Sequence, residues 1–307
     1  MRRCYLNHLT ARHLTTTSAP SPHTPVATKP AKLPTLGPND LHSYQVTSPP
    51  LPYQATFATK TFLSSPPVLL STSPNFRDLP PSPHPEVVFL GRSNAGKSSL
   101  LNALFGRTAT VGKLSKDLAH ISRKPGRTRS MNAYGVAGEL AWGEVDRWRS
   151  LPPGGCVVVD MPGYGHASRG EWGVEVNKYL AGRRQLRRVF LLVDTKLGPK
   201  KTDLEMIRQL RRAGCPFQVV LSKADKILLC GIREKQKIRP NRLRLNAKLL
   251  QKEIAKELRS RVEAAVGPGA MDVLCCSAER TLDMGGKVER IGLGELRWAV
   301  LSACGIE

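Results

Sequence analysis

The segment from Gly91 to Ser99, "GRSNAGKSS", places two glycines, a lysine and two serines between an apolar run and a helix-like run. Its Gly-x-x-x-x-Gly-Lys-Ser spacing fits the phosphate-binding loop, which requires a strand before it and a helix after it. The glycines allow backbone N–H groups to turn towards phosphate oxygens. We predict that Lys97 reaches the β- and γ-phosphates of a nucleotide and that Ser98 offers its hydroxyl to Mg²⁺. The loop residues predicted to contact the nucleotide are Gly91, Arg92, Ser93, Asn94, Ala95, Gly96, Lys97, Ser98 and Ser99.

A carboxylate at position 225 distinguishes between the purine bases. It ends the sequence "SKAD", which follows the apolar run 217–221 and is therefore expected at the edge where parallel sheets bind ligands. A carboxylate there accepts two hydrogen bonds from guanine, whereas adenine would leave it buried and unpaired at a cost of several kcal/mol. The sequence therefore predicts GTP and GDP as ligands. The residues predicted to hold the base are Ser222, Lys223, Asp225, Ser277 and Ala278.

A third motif, Asp160-Met-Pro-Gly163, closes the apolar run "CVVVD". The Asp160 carboxylate is predicted to hold Mg²⁺ through water, and the Gly163 N–H is predicted to sense the γ-phosphate. The segment "KPGRTRS" lies between the phosphate loop and this motif, and its Thr128 is a candidate to bind Mg²⁺ when GTP is present. The predicted metal-binding residues are thus Ser98, Thr128 and Asp160.

From Glu86 onward, apolar runs alternate with helical patterns. The runs are too continuous for half-exposed strands, so we interpret them as buried parallel strands, with an additional hairpin over 131–145. The alternation predicts an α/β P-loop NTPase fold: a doubly wound, mostly parallel sheet with helices on both faces, forming a single G domain over residues 56–307. The predicted strands are 86–90, 155–160, 187–194, 217–222 and 271–277, and the predicted helices are 98–105, 173–186, 202–214, 247–267 and 293–304.

Residues 1–55 differ in composition from the rest of the chain. They are rich in Ser, Thr and Pro and show no sustained apolar periodicity, and no acid precedes Asp40. This composition is typical of an organellar transit segment, and the early arginines Arg2 and Arg3 favour the mitochondrial matrix over the plastid. The alternative is a disordered leader that targets nothing.

The charge of the chain favours a polyanionic partner. Its 307 residues include 47 Lys and Arg against 24 Asp and Glu, a net charge of +23, and such an excess costs self-repulsion. Candidate rRNA contacts are the acid-poor segment 233–244 and a cluster at 183–188, which would contact phosphates and shape rather than bases. No apolar run is long enough to span a membrane, so we expect no stable membrane insertion. We also expect the protein to be a monomer. The seven cysteines have no metal-binding spacing and are expected to be free thiols.

Together the segments "GRSNAGKSSLLNAL", "KPGRTRSMN", "DMPGYGHA" and "SKADK" resemble the EngB (YihA/YsxC) family of TrmE-Era-EngA-EngB-like GTPases, over residues 56–307. The resemblance implies GTP binding, slow GTP hydrolysis and a role in assembly of the large ribosomal subunit, with its rRNA and proteins as partners. Combined with the leader, it implies the mitochondrial ribosome. Three features depart from the family: Ser222 replaces the usual Thr, and the segments 107–124 and 137–155 are longer than expected.

Catalysis raises two questions that the sequence leaves open. Tyr164 occupies the place where many GTPases have a glutamine that orients the attacking water, so we expect slow intrinsic hydrolysis. Asn94 has two interpretations: its amide oxygen holds K⁺ against the phosphates, as in potassium-activated GTPases with Gly-x-x-Asn-x-Gly-Lys, or it hydrogen-bonds its own loop. The predicted catalytic residues are Asn94, Lys97, Thr128 and Gly163.

Three other functions compete with a GTP-hydrolysing assembly factor. A nucleotide-gated ribosome-binding or rRNA-binding protein with negligible hydrolysis stays open because of Tyr164. A tRNA-modification GTPase of the TrmE kind would need domains for which this chain has no room. An adenylate-using phosphoryl transferase is disfavoured by Asp225.

Overall fold

The uninterrupted apolar runs form neighbouring strands of one sheet, because a run that is apolar at every position needs both of its faces covered. The sheet consists of β1 (Val68–Ser73), β2 (Glu86–Gly91), β3 (Met131–Val136), β4 (Cys156–Asp160), β5 (Leu186–Asp194), β6 (Phe217–Ser222) and β7 (Val273–Cys275). In this computed structural model the seven strands are ordered β1-β3-β4-β2-β5-β6-β7. Strands β4, β2, β5, β6 and β7 are parallel, whereas β3 and β1 add antiparallel pairings at one side. A separate short hairpin pairs β8 (Thr281–Asp283) with β9 (Val288–Arg290).

Helices connect and cover these strands. They are α1 (Pro52–Ser64), α2 (Lys97–Leu104), α3 (Gly170–Gly182), α4 (Lys201–Arg212), α5 (Asp225–Leu228) and α6 (Leu293–Ala303), with a 3₁₀ turn at Phe76–Asp78. The structure describes residues 42–64, 66–107, 130–136, 151, 154–164, 170–228, 271–279, 281–283 and 288–307, with isolated positions between 257 and 269. These residues all fall in one compact unit, Pro34–Glu307. None of the helices in these ranges has the length and hydropathy needed to cross a bilayer.

The core has two layers, one on each face of the sheet. Val88 and Leu90 of β2 belong to a buried cluster that includes side chains of α3 and α4. Val87 and Phe89 belong to a second cluster with side chains of α1, α2 and α6. Alternate residues of one strand therefore serve opposite layers, which is the doubly wound arrangement predicted from the sequence. The predicted fold class is confirmed.

The sequence did not predict α1, β1 or the contacts of residues 42–47, which we call the strap. Ser43 forms an antiparallel bridge with Val273 of β7 through two backbone hydrogen bonds of 2.8 Å. The Asp272 carboxylate accepts hydrogen bonds from the backbone N–H groups of residues 45, 46 and 47 and from the Thr47 hydroxyl. Structured chain therefore exists before residue 56, where the sequence analysis placed the start of the G domain. The targeting role of the leader stays a prediction.

The predicted hairpin over 131–145 is wrong in its pairing. Both edges of β3 are already occupied, by β1 on one side and β4 on the other, and a strand has only two edges. Residues 137–150, which include the second half of that hairpin, lie outside the described residues. So do most of the predicted helix 247–267, the segment 233–244 and most of the two long segments 107–124 and 137–155.

Candidate nucleotide-binding site

The phosphate loop runs from the end of β2 to the start of α2. Two of its residues, Asn94 (φ 69°) and Gly96 (φ 87°), adopt the left-handed backbone conformation that turns the chain into the helix. Asparagine and glycine are the residues that tolerate this region best. A Cβ added at Gly96 would lie 3.2 Å from Lys223 Cε, so a side chain here would also crowd the base-binding segment.

Lys97 and Asp160 form a buried ion pair at the floor of the loop. Burial raises the pKa of the Asp160 carboxyl, and the Lys97 ammonium partly offsets that rise. Two buried, opposite charges that neutralise each other can exchange partners when a nucleotide arrives: the ammonium for phosphate and the carboxylate for a cation. The structure therefore brings these two predicted site residues together at the phosphate loop.

The oxygen donors at this point fit Mg²⁺. Ser98 is the second residue of α2 and Asp160 ends β4, so a hydroxyl and a carboxylate are available. Within the described residues no group of three or more His, Cys, Asp or Glu side chains could hold a metal ion by itself. A site with few protein oxygens suits Mg²⁺, which is usually bound by one or two carboxylates together with substrate phosphates and water. Thr128, the third predicted ligand, lies outside the described residues.

The base-binding segment is tied to the phosphate loop by Ser222. Its hydroxyl donates to the carbonyl of Ala95 at 2.5 Å and lies 3.3 Å from that of Val193. The Lys223 ammonium donates to the Asn94 carbonyl at 2.6 Å and pairs with the Asp194 carboxylate at 2.7 Å. The serine that replaces the threonine usual in the family thus still connects the base-binding segment to the phosphate loop through its hydroxyl.

Asp225 begins α5 and is buried, with 7% of its surface exposed. Its Oδ1 accepts a hydrogen bond of 2.6 Å from the Ser277 hydroxyl. The backbone N–H of Ala224 donates to the Cys276 carbonyl at 3.1 Å, which holds the ends of β6 and β7 together. These contacts link the buried Asp225 carboxylate to the segment that contains the half-buried Ala278, so the predicted base-binding residues lie together; their binding of guanine stays a prediction.

Gly163 and Tyr164 lie against the phosphate loop, where Tyr164 and Arg92 form a short parallel bridge. The Tyr164 carbonyl accepts from the Ser93 N–H at 3.1 Å, and the Tyr164 N–H donates to the Gly91 carbonyl at 3.2 Å. A Cβ at Gly163 would lie 3.0 Å from the Ser93 nitrogen, so a larger residue would push the two backbones apart. The segment that is predicted to sense the γ-phosphate therefore lies in direct contact with the phosphate loop.

Asp203, which the sequence analysis missed, holds the side chain of Tyr164. The phenol donates to Asp203 Oδ1 at 2.8 Å, while Asp203 Oδ2 accepts from the Lys200 N–H at 2.8 Å and so caps α4. Burial raises the pKa of Tyr164 well above its usual value, and the Asp203 carboxylate adds to the rise. The nearby Arg92 has a buried Nε without a hydrogen-bond partner among the described residues. The Tyr164 hydroxyl is thus engaged in a structural contact.

Comparison with known proteins gives the family. Residues 86–223 match the family described as "50S ribosome-binding GTPase". A probable GTP-binding protein EngB of Rhizobium johnstonii is 36% identical over 255 residues, which cover 80% of this chain and 96% of that protein. The chain belongs to the EngB family. A second probable EngB, from Chelativorans sp., is 44% identical over 162 residues, or 50% of this chain and 64% of that protein.

Solved structures that match the chain include Era of Aquifex aeolicus bound to GDP·AlF4⁻, at 19% identity, a TM-score of 0.44 and coverage of 71% of this chain and 56% of that one. Toc33 of Arabidopsis thaliana, in complex with Mg²⁺ and GMPPNP, matches at 12% identity and a TM-score of 0.45, covering 73% of this chain and 85% of that one. The sequence relatives establish the activity: this member of the EngB family is a GTP-binding protein and a GTP hydrolase.

One candidate RNA contact is corrected by the structure of this EngB-family chain. Arg183 is buried and pairs with Glu86 at 2.7 Å, an ion pair that Tyr179 joins through its hydroxyl. Arg188 is half-buried, and burial lowers its pKa. The sequence run of arginines therefore contains only two that are exposed, Arg184 and Arg187. A run of like charges in sequence need not be a run on the surface, because one turn of chain can place a neighbour inside the core.

Proposed function

We propose that this GTPase hydrolyses GTP slowly on its own and acts in the assembly of the large subunit of the mitochondrial ribosome. The family description, ribosome binding, supports the subunit, and the net charge of +23 supports a partner rich in phosphate. The acid-free, arginine-bearing start of the chain supports the mitochondrion.

The observation that carries the proposal is the contact between Tyr164 and Asp203. In GTP hydrolysis water attacks the γ-phosphorus and the bond to the β-phosphate oxygen breaks, so a group that orients the water accelerates the reaction. The residue after Gly163 is the natural candidate, yet its hydroxyl is held 2.8 Å from Asp203 Oδ1 at the start of α4. The site binds and positions the nucleotide but lacks, among the described residues of this segment, a side chain free to orient water.

The other residues of the site then have defined roles. Lys97 would bind the β- and γ-phosphates, and the Gly163 N–H would contact the γ-phosphate. Ser98 and Asp160, with Thr128, would hold Mg²⁺, which neutralises charge on the phosphate oxygens. The residues that would hold the base are Ser222, Lys223, Asp225, Ser277 and Ala278.

Asn94 is the residue through which K⁺ would act. Its side chain is exposed at the fourth position of the loop, while its carbonyl is already bound by Lys223. We expect single-turnover GTP cleavage to be faster in KCl than in NaCl at equal ionic strength, and the Asn94→Ala protein to lose that difference. Equal rates in the two salts would assign Asn94 to the loop alone.

A second function is favoured by the same contact at Tyr164: a nucleotide-gated binding protein whose hydrolysis is negligible. Single-turnover cleavage of GTP by the full chain, with and without purified mitochondrial large subunits, separates the two functions. We expect slow cleavage alone and faster cleavage with subunits. No cleavage in either condition, together with GTP-dependent subunit binding, would establish the binding protein instead.

Partner identity needs its own experiment. The protein loaded with GDP or with a non-hydrolysable GTP analogue is used to capture complexes from a mitochondrial extract, and the retained RNA is sequenced. The proposal requires large-subunit rRNA to be enriched with one nucleotide over the other. Enrichment of small-subunit rRNA, or of no rRNA, would overturn the assembly role.

A further inference from the structure

The loop between β5 and α4 carries a local excess of exposed positive charge. We call residues 195–201 the lysine loop, because Lys196, Lys200 and Lys201 are all exposed there. Two carboxylates flank it, Asp194 and Asp203, but both are withdrawn from the surface by hydrogen bonds to other groups. Asp203 still interacts with the Lys200 charge, but the exposed charged side chains of residues 195–201 are all lysines.

Several other cations in the described part of the chain are engaged by carboxylates or carbonyls. Lys97 pairs with Asp160 and Arg183 with Glu86, both in the interior. Lys178 pairs with Glu175 at 2.6 Å, and Arg297 donates to two carbonyls at the end of α2. Part of the excess charge of the chain is thus unavailable to a partner, which makes three exposed lysines within one short loop a distinct feature.

The backbone of the lysine loop is fixed. The Thr195 N–H and hydroxyl both donate to the Ser222 carbonyl, at 3.1 and 2.5 Å. The N–H groups of Lys196 and Leu197 donate to Asp194 Oδ1 at 2.9 and 3.2 Å, and the Gly198 N–H donates to the Asp194 carbonyl at 2.9 Å. A loop that is already ordered loses little conformational entropy when it binds a partner.

The lysine loop lies beside the nucleotide site. Strands β2, β5 and β6 are parallel, so the loop that follows β5 emerges at the same edge as the phosphate loop and the base-binding segment. One of its ends is linked through Asp194 to Lys223, and the other through Asp203 to Tyr164. A partner bound to the loop would therefore contact elements that touch the nucleotide.

We propose that the lysine loop is a docking surface for the phosphate backbone of large-subunit rRNA. This inference rests on the proposed function and specifies where the partner binds. Lysine ammonium groups pair with phosphates as point charges, and residues 195–201 include no aromatic side chain on which a base could stack. The contact would thus be independent of base sequence and strongly dependent on salt.

The test compares two variants, each of which removes three exposed positive charges. K196Q/K200Q/K201Q neutralises the lysine loop. R77Q/R184Q/R187Q neutralises three exposed arginines outside the lysine loop: Arg77 in the 3₁₀ turn, and Arg184 and Arg187 just before and at the start of β5, which remain from the other candidate RNA contact. The full-length proteins are titrated with purified mitochondrial large subunits, and separately with protein-free rRNA from them, over a series of salt concentrations. Both variants should bind GDP as the wild-type protein does.

We expect the lysine variant to bind subunits more weakly. A plot of log affinity against log salt has a negative slope. For the lysine variant this slope should be less steep by about three, because three lysines no longer neutralise phosphates. The arginine variant should keep the wild-type slope, and E205Q, which removes an exposed acid one turn along α4, should bind more tightly. The same ranking with protein-free rRNA identifies RNA as the partner.

Two outcomes would overturn the inference while leaving the proposed function intact. Equal slopes for the lysine variant and the wild-type protein would place the contact elsewhere. A variant that binds subunits more weakly but binds protein-free rRNA as the wild-type protein does would make the partner a ribosomal protein. If the wild-type protein bound neither subunits nor rRNA, the proposed function would fail together with the inference.

Discussion

The Tyr164 hydroxyl and the start of α4 share one carboxylate, Asp203. One oxygen of Asp203 accepts from Tyr164 and the other from the Lys200 backbone, so a single buried side chain joins the segment after Gly163 to a helix on the sheet. At the scale of the residue, this contact stabilises the segment after Gly163. It also occupies the Tyr164 hydroxyl, which is therefore not expected to orient the attacking water.

Tyr164→Phe is therefore expected to reduce stability more than activity. The change leaves Asp203 with one fewer donor, which costs about 1–2 kcal/mol of unfolding free energy. Single-turnover GTP cleavage should stay close to the wild-type rate, because the hydroxyl takes no part in it. Tyr44→Phe is the matched control, since it removes a buried hydroxyl that has no partner among the described residues and should cost no stability. A large fall in the cleavage rate of the Tyr164→Phe protein would assign the phenol to catalysis.

Asp225→Asn tests the base. Asp225 is predicted to accept two hydrogen bonds from guanine, so replacing its carboxylate by an amide should weaken GDP binding about 100-fold, or about 2.7 kcal/mol. Binding of XDP, whose base carries an oxygen where guanine carries the amino group, should weaken less or improve. Titration of a fluorescent nucleotide competed with GDP, XDP and ADP measures the change. Unaltered selectivity in the variant would remove Asp225 from the base site.

Motif spacing could predict which residues meet at the site but not how they are held. Gly91, Asp160 and Ser222 are the last residues of three parallel strands, so the fold brings them together at the carboxyl ends of the strands. The contact between Tyr164 and Asp203 joins residues that are 39 positions apart. Neither residue type is unusual at its position, and no sequence periodicity indicates the contact. The links of Lys223 to Asn94 and Asp194 depend on a left-handed backbone at Lys223 (φ 57°), which the residue type does not predict.

At the scale of the element, the strap is held mainly by one side chain. Asp272 lies just before β7 and accepts from the Thr47 hydroxyl at 2.7 Å and from the backbone N–H groups of residues 45 and 46 at 2.7 and 2.8 Å. A carboxylate suits this position because it only accepts hydrogen bonds. The strap in turn leads into α1, which packs on α6 through buried Ala58 and Phe62.

Asp272→Asn should destabilise the protein by about 2 kcal/mol, because one end of the amide would present donors to the strap N–H groups. Thermal unfolding measures the destabilisation. Local release of the strap should appear as faster amide hydrogen exchange at residues 45–47. Glu205→Gln, a change at an exposed acid, serves as the control and should leave both readouts unchanged. Identical exchange in the Asp272→Asn protein would contradict the importance of the carboxylate.

The elements that the sequence predicted are those with uninterrupted apolar runs. Strands β2, β4, β5 and β6 were found within one residue of their predicted bounds, because burial on both faces leaves a clear pattern. Helix α1 buries only Ala58 and Phe62, too few positions to show a period, and it follows a proline-rich stretch. Strand β1 pairs only with β3 and its burial is partial, so its sequence carries little of the pattern.

At the scale of the whole molecule, two properties suggest a destination and a partner: the leader and the charge. Residues 1–55 include no acid before Asp40, while the chain as a whole carries a net charge of +23. Some of the cations lie inside, as Arg183 shows, so net charge alone overstates the surface available to RNA.

The leader is expected to direct the protein to mitochondria. Residues 1–41 fused to a fluorescent protein should colocalise with a mitochondrial marker, and replacing Arg2, Arg3 and Arg12 by Gln should abolish import because the positive charges are removed. Imaging and subcellular fractionation measure both. Uptake into plastids would reassign the organelle, and a diffuse signal would make the leader a tail without a targeting role.

If the predicted leader is removed, the strap would limit where the chain can be cut. Strand β7 is the last in the order of the sheet, and its outer edge is met by Ser43. A peptidase that removed residues 42–47 would leave the N–H and C=O groups of Val273 unpaired at that edge, and an unpaired strand edge can recruit a strand from another copy and start aggregation. We therefore expect a peptidase that removes the predicted leader to cut upstream of His42.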